Sequence, residues 1–188
     1  MFSNHLARLA DEDLMMRVQN GNERALVELY GRYSKKIVRY FHRMLWKDEA
    51  KAQDFLHDLF VKIIEKPQHF NIQMKFSTWI YSAAFNMCKN EYRKQNFRKT
   101  EQLFSVENSL EIFQPDMDQK EFKKVLLTVL NEAEENDRNL FVLRYELEMP
   151  LSEIAEIMDC PEGTIKSRIF YLKKKLVLKL QAYNPALN

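Results

Sequence analysis

The segment LSEIAEIMDCPEGTIKSRIFYLKKKL, residues 151–176, decides the fold of the second half of the chain. It contains a short helical pattern, a break at Pro161, and a longer helical pattern whose outward positions are basic. Two helices joined by so tight a turn form a helix-turn-helix, which places its second helix in the DNA major groove. Asp159 stands where many such turns have glycine, and we expect it to adopt the left-handed backbone that aspartate tolerates.

The second helix of this motif is predicted to divide into a buried and an exposed face. The buried stripe comprises Ile165, Ile169, Leu172 and Leu176. The outward positions combine hydroxyl, basic and aromatic groups that suit phosphates, guanine edges and thymine methyl groups. These positions are Thr164, Lys166, Ser167, Arg168, Phe170, Tyr171 and Lys174. A plain helical hairpin solvated by lysines would explain the basic face alone, but the turn and the small Ala155 between the helices favour DNA binding.

Composition and charge extend this interpretation to the whole chain. With 3 glycines and 5 prolines in 188 residues and no alternating strand pattern, the chain is predicted to be all-α. The net charge is only +2, but it is unevenly distributed. Residues 89–99 hold five basic side chains and one acid, residues 166–179 hold six basic side chains and no acid, and residues 101–121 hold six acids and one lysine. Two surfaces for nucleic acid, joined by an acidic connector, are therefore expected.

Helical periodicity predicts two helical domains, 1–100 and 120–188, joined by a flexible linker, 101–119, that contains Phe104 and Phe113. In the first domain we expect four helices. They cover about 11–20, 22–45, 48–65 and a segment that Ser77 or Thr78 caps and that ends near Lys99. In the second domain, two helices broken near Asn136 and Asp137 precede the helix-turn-helix.

The sequence also predicts several absences. Cys88 and Cys160 are too few for a disulfide framework and are expected to stay reduced. The chain start lacks the apolar run of a signal peptide, and no 18-residue apolar stretch occurs, so we expect a cytoplasmic protein without membrane insertion. No glycine-rich phosphate loop, metal-ligand spacing or nucleophile constellation is present, which predicts a protein that is not an enzyme and uses no cofactor or metal.

A second candidate for nucleic-acid binding lies in KFSTWIYSAAFNMCKNEYRK, residues 75–94. This segment combines stacking planes, amide edges and cations on one helix, a combination that suits unpaired bases better than an intact duplex. The groups are Trp79, Tyr81, Asn86, Asn90, Lys89, Arg93 and Lys94. One face of the helix must still be buried, and Ile80, Ala84 and Met87 are its best candidates.

Four segments, in their order along the chain, carry a resemblance to a known family. They are ALVELYGRYSKKIVRYFHRML (25–45), AQDFLHDLFVKIIEK (52–66), FSTWIYSAAFNMCKNEYRK (76–94) and RNLFVLRYELEMPLSEIAEIMDCPEGTIKSRIFYLKKKL (138–176). The chain resembles the extracytoplasmic-function (ECF) group of bacterial sigma-70 factors. The resemblance implies that the first domain is region 2, binding RNA polymerase core and the −10 element, and that the second is region 4, binding the −35 element and the β flap. It also implies melting of promoter DNA and control by an anti-sigma factor.

The resemblance further assigns individual residues. It places Asp54, His57, Asp58 and Phe60 on the motif that docks on a coiled coil of the polymerase β′ subunit. His57 is a departure, because the family commonly has glutamine there. The loop 70–75 would receive a flipped base, and the helix after it would read the −10 element. The −10 set comprises Lys75, Phe76, Ser77, Thr78, Trp79, Asn86, Lys89, Asn90 and Arg93.

Three other interpretations remain open from the sequence. A metal site on Asp54, His57 and Asp58 is the weakest, because one helix face supplies few ligands. A regulator that binds duplex DNA without opening it would explain 151–176 but leave 52–66 and 76–94 without a role. A helical adaptor, or a decoy for an anti-sigma factor, that never contacts DNA would leave both basic segments unexplained.

Overall fold

The structure, a computed structural model, describes the backbone of residues 3–101 and 119–183, and within them the side chains of 5–95, 122 and 124–180. Throughout these ranges the chain is helical without strands, which confirms the all-α prediction. Nearly all of the predicted linker, with Phe104 and Phe113, lies outside the described residues. Among the described helices, none combines the length and the apolar character that crossing a bilayer requires.

The helices run in two compact units. They are α1 (Ser3–Leu6), α2 (Asp11–Gln19), α3 (Glu23–Met44), α4 (Glu49–Glu65), α5 (Phe76–Glu101), α6 (Gln119–Asn131), α7 (Glu135–Phe141), α8 (Leu151–Ile157) and α9 (Glu162–Tyr183), with a 3-10 turn at Pro67–His69 and a π-helical turn at Val142–Glu146. The first unit contains residues 1–90 and 156–159, and the second contains 91–155 and 160–188. The division falls within α5, so the last turns of that helix belong to the second unit.

The predicted boundaries of α2, α3 and α4 are confirmed to within one residue, because local capping fixes them. Gly21, with φ of 82°, ends α2 in the left-handed conformation that glycine adopts at low cost. The side chain of Asn22 accepts the Ala25 N–H at 3.1 Å at the start of α3. Asp48 likewise accepts the Lys51 N–H at 2.9 Å at the start of α4.

The core of the first unit forms around α3, which packs against both α2 and α4. Its buried side chains follow the expected spacing of three or four residues. They are Ala25, Leu29, Tyr33, Ile37, Tyr40, Phe41 and Met44. Two of these rings contact α5 edge-on: Tyr33 meets Phe76 with ring centroids 5.1 Å apart, and Tyr40 meets Tyr81 at 5.5 Å. The rings of α3 therefore also hold α5 in place.

The predicted start of α5 is wrong. The helix begins at Phe76, and neither Ser77 nor Thr78 caps it. The Phe76 N–H instead donates to Oε1 of Glu12, on α2, at 2.7 Å. Since Glu12 lies 64 residues away in sequence, a search for a local cap misses this carboxylate.

The predicted break near Asn136 and Asp137 is also wrong. The interruption falls at 132–134, and both residues lie in the first turns of α7. The side chain of Arg138 explains this position. Its guanidinium, only 6% exposed, donates to the carbonyl oxygens of Leu130 at 3.0 Å, Asn131 at 2.6 Å and Ala133 at 2.9 Å. These carbonyls lie at the end of α6 and in the connection after it, where the helical hydrogen-bond pattern stops, and Arg138 donates to them.

Arg138 also reaches α5 within the second unit, because its Nη1 donates to the Tyr92 hydroxyl at 2.8 Å. Replacement by methionine would remove all four hydrogen bonds, of which those to Leu130 and Tyr92 are buried. We expect Arg138→Met to lower the free energy of unfolding of the second unit by about 2–4 kcal/mol. Lys175→Met is the control: it removes a 2.8 Å ion pair with Asp137 from a side chain that is 58% exposed, and should leave the unfolding midpoint close to the wild-type value, since water screens so exposed a pair. Urea denaturation of both variants measures the difference, and equal midpoints would contradict the proposed role of Arg138.

Candidate nucleic-acid and polymerase interfaces

The turn between α8 and α9 has the backbone that the sequence predicts. Asp159 has φ of 50°, in the left-handed region. Beside it, the Cys160 N–H donates to the Ala155 carbonyl at 3.0 Å and the Asp159 N–H to the Glu156 carbonyl at 3.3 Å. This hydrogen-bond pair is the Schellman arrangement that ends helices, and it confirms that aspartate replaces glycine at this turn.

The buried face of α9 agrees with the predicted stripe, apart from one residue. Ile165, Leu172 and Leu176 are buried, while Ile169 is half-buried. Ala155 on α8 is buried as well, as expected for a small residue between closely packed helices. The packing fixes the rotation of α9 about its axis and turns the opposite face outward.

The predicted −35 residues all lie at exposed or half-exposed positions on that outward face. Phe170 and Tyr171 are 54% and 62% exposed, which is unusual for large rings in the absence of a partner. Their centroids are 5.5 Å apart, edge to face, and Lys174 Nζ lies 4.6 Å from the Phe170 centroid. The face therefore combines aromatic surface with positive charge.

Some polar side chains at the start of α9 already have partners within the protein, and others do not. Lys166 pairs with Glu162 at 2.9 Å, and the Ser167 hydroxyl donates to the Thr164 carbonyl at 3.0 Å. Arg168 is half-exposed and has no ion-pair partner among the described residues. The guanidinium donors of Arg168 are therefore available to an acceptor on DNA.

The basic segment 166–179 is not a single surface. Lys175 pairs with Asp137 at 2.8 Å, and Lys179 pairs with Glu132 at 3.3 Å. These two lysines pair α9 with α7 and with the α6–α7 connection. The other four cations, Lys166, Arg168, Lys173 and Lys174, lie at exposed or half-exposed positions before them on α9.

On α5, the predicted −10 residues divide between surface and core. Lys75, Asn86, Asn90 and Arg93 are exposed, and Ser77, Trp79 and Lys89 are half-exposed. Asn86 and Asn90 lie one turn apart, so both amides extend from the same face. Lys89 also lies over the Phe85 ring, with its Nζ 5.9 Å from the centroid.

Phe76 and Thr78 do not fit the predicted DNA-facing set, because they are 0% and 1% exposed. Tyr81 is equally unsuited to stack on a base: it is buried against Tyr40, and burial raises the pKa of its hydroxyl to about 12. The four-residue spacing of Phe76, Ile80, Ala84 and Cys88 is the sequence signal that marks this buried face.

The loop before α5 has a defined local structure. Phe70 is buried and contacts both Phe76 and Trp79 edge-on, with centroids 5.6 Å and 5.4 Å apart. After it, the Asn71 side chain accepts the Gln73 N–H at 3.0 Å, and the Met74 N–H donates to the Asn71 carbonyl at 2.9 Å. Residues 71–73 are exposed, with Ile72 47% exposed. The loop therefore forms a turn with an exposed tip, and its start packs on the Phe76 and Trp79 rings through the buried Phe70.

The outer face of α4 carries the predicted polymerase-binding residues except one. Asp54, His57 and Asp58 are exposed at the spacing that aligns them along the helix. Phe60 is 5% exposed and packs edge-on against Tyr30, with centroids 4.8 Å apart, so it supports the face from within. Within the described residues, no group of three or more His, Cys, Asp or Glu side chains is arranged to hold a metal ion, which leaves the metal interpretation without support.

A groove of about 600 Å³ lies between α3 and α4. It is lined by Tyr30, Ser34, Lys35, Val38, Arg39, Gln53 and Leu56. Gln53 and Leu56 come from the same helix as the exposed Asp54, His57 and Asp58, so apolar surface and charged groups adjoin there. Neither cysteine forms a disulfide: Cys88 lies in the core, and Cys160 is half-buried at the turn before α9.

Comparison with known proteins agrees with this arrangement. The family profile for Sigma-70 region 2 matches residues 29–98, and that for Sigma-70, region 4 matches residues 123–176. The ECF RNA polymerase sigma-E factor of Haemophilus influenzae is 28% identical over 93% of this chain and 97% of its own.

Two solved structures share the fold. CnrH, in complex with the cytosolic domain of CnrY, has a TM-score of 0.70 at 20% identity and covers 93% of this chain and 99% of its own. The sigma factor RpoE from Bartonella quintana, in complex with the anti-sigma factor NepR, has a TM-score of 0.59 at 21% identity and covers 77% of this chain and 89% of its own. With both sigma regions matched in order and a curated relative aligned along nearly its whole length, the chain belongs to the sigma-70 family of RNA polymerase sigma factors, in its extracytoplasmic-function group.

Proposed function

We propose that this sigma factor binds RNA polymerase core, reads a −35 duplex through α9, and captures an unpaired base near −10 with the loop 70–75 and α5. The observation that carries the proposal is that one chain presents two exposed surfaces of different chemistry, each suited to a different form of nucleic acid. The face of α9 is basic and aromatic, as suits a duplex groove, whereas α5 presents two exposed amides and a half-exposed tryptophan beside a turn with an exposed tip.

The proposed mechanism of melting requires no catalytic group on this chain. A flipped base is an unstacked, minor state of the duplex, and reaching it costs a few kcal/mol. A site that binds the flipped base and not the stacked one shifts the population toward the open state by that difference in affinity. Polymerase supplies the nucleotidyl transfer, and the sigma factor acts with it in the cytoplasm.

The outer face of α4 supports a docking site for the coiled coil of the β′ subunit. Asp54, His57 and Asp58 offer polar contacts along one helix, and the groove beside them offers apolar surface. A central apolar patch with a polar rim is the usual composition of a protein interface. In the second unit, region 4 would contact the β flap.

A protein inhibitor is the proposed regulator. The related RpoE was solved in complex with the anti-sigma factor NepR. The exposed apolar groups of the present chain, among them Phe170, Tyr171 and Leu178, support a surface that a partner covers in some state of the protein.

A single experiment tests the proposal as a whole. Purified protein and core polymerase are used for run-off transcription on a library of genomic promoter fragments, with core polymerase alone as the control. We expect transcription from a subset of fragments that share two sequence elements. A protein that binds duplex DNA without opening it would not co-purify with core and would not direct initiation.

Arg168→Ala should weaken binding of holoenzyme to a −35 duplex by about 1–3 kcal/mol, because the guanidinium loses its contacts with base edges or phosphates. Affinity for core polymerase should be unchanged. Lys179→Ala is the matched control, since its ammonium pairs with Glu132. Fluorescence anisotropy with labelled duplex and with labelled core measures both. Loss of core binding in Arg168→Ala would contradict the assignment.

Asn86→Ala should reduce promoter opening by about tenfold while −35 binding stays within about twofold, since one or two hydrogen bonds to an unpaired base are lost. Permanganate footprinting of unpaired thymines measures opening. Transcription from a template with a pre-melted −10 region provides a second measurement. Equal losses in opening and −35 binding would indicate that Asn86 has a structural role instead.

Asp58→Lys should weaken binding to core polymerase by about tenfold or more, because it reverses a charge on the face proposed to meet the coiled coil. Glu49→Lys makes the same charge change in the first turn of α4, at an exposed position on the opposite side of the helix from Asp58, and serves as the control. Competition against a second sigma factor for limiting core measures the affinity. If both variants lose affinity equally, a general charge effect explains the result.

A further inference from the structure

Both ends of the loop 70–75 are bonded to α2, a helix with no predicted contact with DNA. At the first end, Nε2 of Gln19 donates to the carbonyl oxygens of Pro67 at 3.1 Å and Phe70 at 2.9 Å. The Gln68 side chain donates back to the Gln19 carbonyl at 3.2 Å. At the second end, Oε1 of Glu12 accepts the Phe76 N–H at 2.7 Å.

Glu12 and Gln19 lie about two turns apart on α2, so they extend from the same face of one rigid helix. The distance between the two anchor points is therefore set by α2 and not by the loop. The helix itself is held in the core, since Leu14, Met15 and Val18 are buried. Its start is tied to α3, where Arg32 binds Asp11 at 2.6 Å.

Between its hydrogen bonds to Gln19 and to Glu12, the loop forms a local turn with an exposed tip. The conformation of the loop depends on where these hydrogen bonds hold its two ends. Hydrogen bonds to a neutral amide and to a carboxylate hold those ends by different chemistry. Gln19 acts as a donor to loop carbonyls, and Glu12 acts as an acceptor at the positive end of α5.

We infer that Gln19 and Glu12 are positioning residues for promoter recognition, and that they set the base preference of the loop without contacting DNA. This inference rests on the proposed capture of an unpaired base by the loop 70–75. A loop held at both ends presents one shape to the base, so competing bases fit less well. A loop released at one end adapts to several bases, and selectivity falls more than overall binding.

The test uses full-length variants in holoenzyme with core polymerase. Gln19→Met keeps the side-chain length but removes the donor, and Glu12→Ala removes the acceptor. Glu12→Gln is the conservative partner, because its amide oxygen still accepts the Phe76 N–H. Asn22→Ala is the stability control: it removes the N-cap of α3, at a comparable cost in stability, without touching the loop.

The measurement is run-off transcription on a promoter library randomised across the −10 region, sequenced to give the preference at each position. For Gln19→Met and Glu12→Ala we expect the ratio between the preferred base and the next to fall about five- to tenfold at the captured position. Glu12→Gln and Asn22→Ala should keep it within about twofold. Affinity for −35 duplex and for core should stay at the wild-type value in all four variants.

Two results would overturn the inference: a wild-type base preference in both Gln19→Met and Glu12→Ala, or an equal loss in Asn22→Ala, which would indicate reduced stability as the cause. Failure of the proposed function would have a different signature, because wild-type holoenzyme would then show no base preference anywhere in the −10 region.

Discussion

The first unit depends on one constraint: α5 must fill the core and present polar groups along the same length. Phe76, Ile80, Ala84 and Cys88 are fully buried and recur at every fourth position, which fixes the rotation of the helix. Burial of each large apolar side chain contributes about 1.5–3 kcal/mol, as much as a good contact with a base. The free energy of burying several such side chains exceeds that of any single polar contact, so core packing determines which residues of α5 face outward. The exposure of the Asn86 and Asn90 amides follows from this packing.

A shortage of glycine shapes the ends of the helices. The chain has 3 glycines in 188 residues, and the left-handed positions that glycine usually fills are held by Trp46, Lys47, Glu148 and Asp159 as well as Gly21. Two arginines, one in each unit, donate to carbonyls where helices end. Arg32 binds the carbonyls of Leu6, Ala7 and Leu9, and Arg138 binds those of Leu130, Asn131 and Ala133. Side chains from other segments thereby perform the role that a local glycine cap performs elsewhere.

The sequence predicted what depends on neighbours along the chain, and missed what depends on distant contacts. The boundaries of α2, α3 and α4 follow from Gly21, Asn22 and Asp48, and the left-handed turn at Asp159 follows from its position between two helical patterns. The start of α5 does not, because its cap is Glu12 on another helix. Phe60, Phe76 and Thr78 were assigned to surfaces by resemblance, which aligns positions but does not tell which way a side chain points.

The same limit applies to the charges on α9. Composition showed a basic segment, but it did not show which of its lysines form ion pairs. The pairs of Lys175 with Asp137 and of Lys179 with Glu132 depend on the packing of α6 and α7 beside α9. Apart from those two lysines, the cations of α9 lie on both sides of Phe170 and Tyr171, as far along the helix as Lys174. Asp137 and Glu132 therefore weaken the attraction for phosphate of the last part of α9, whereas Arg168, Lys173 and Lys174 keep positive charge around Phe170 and Tyr171.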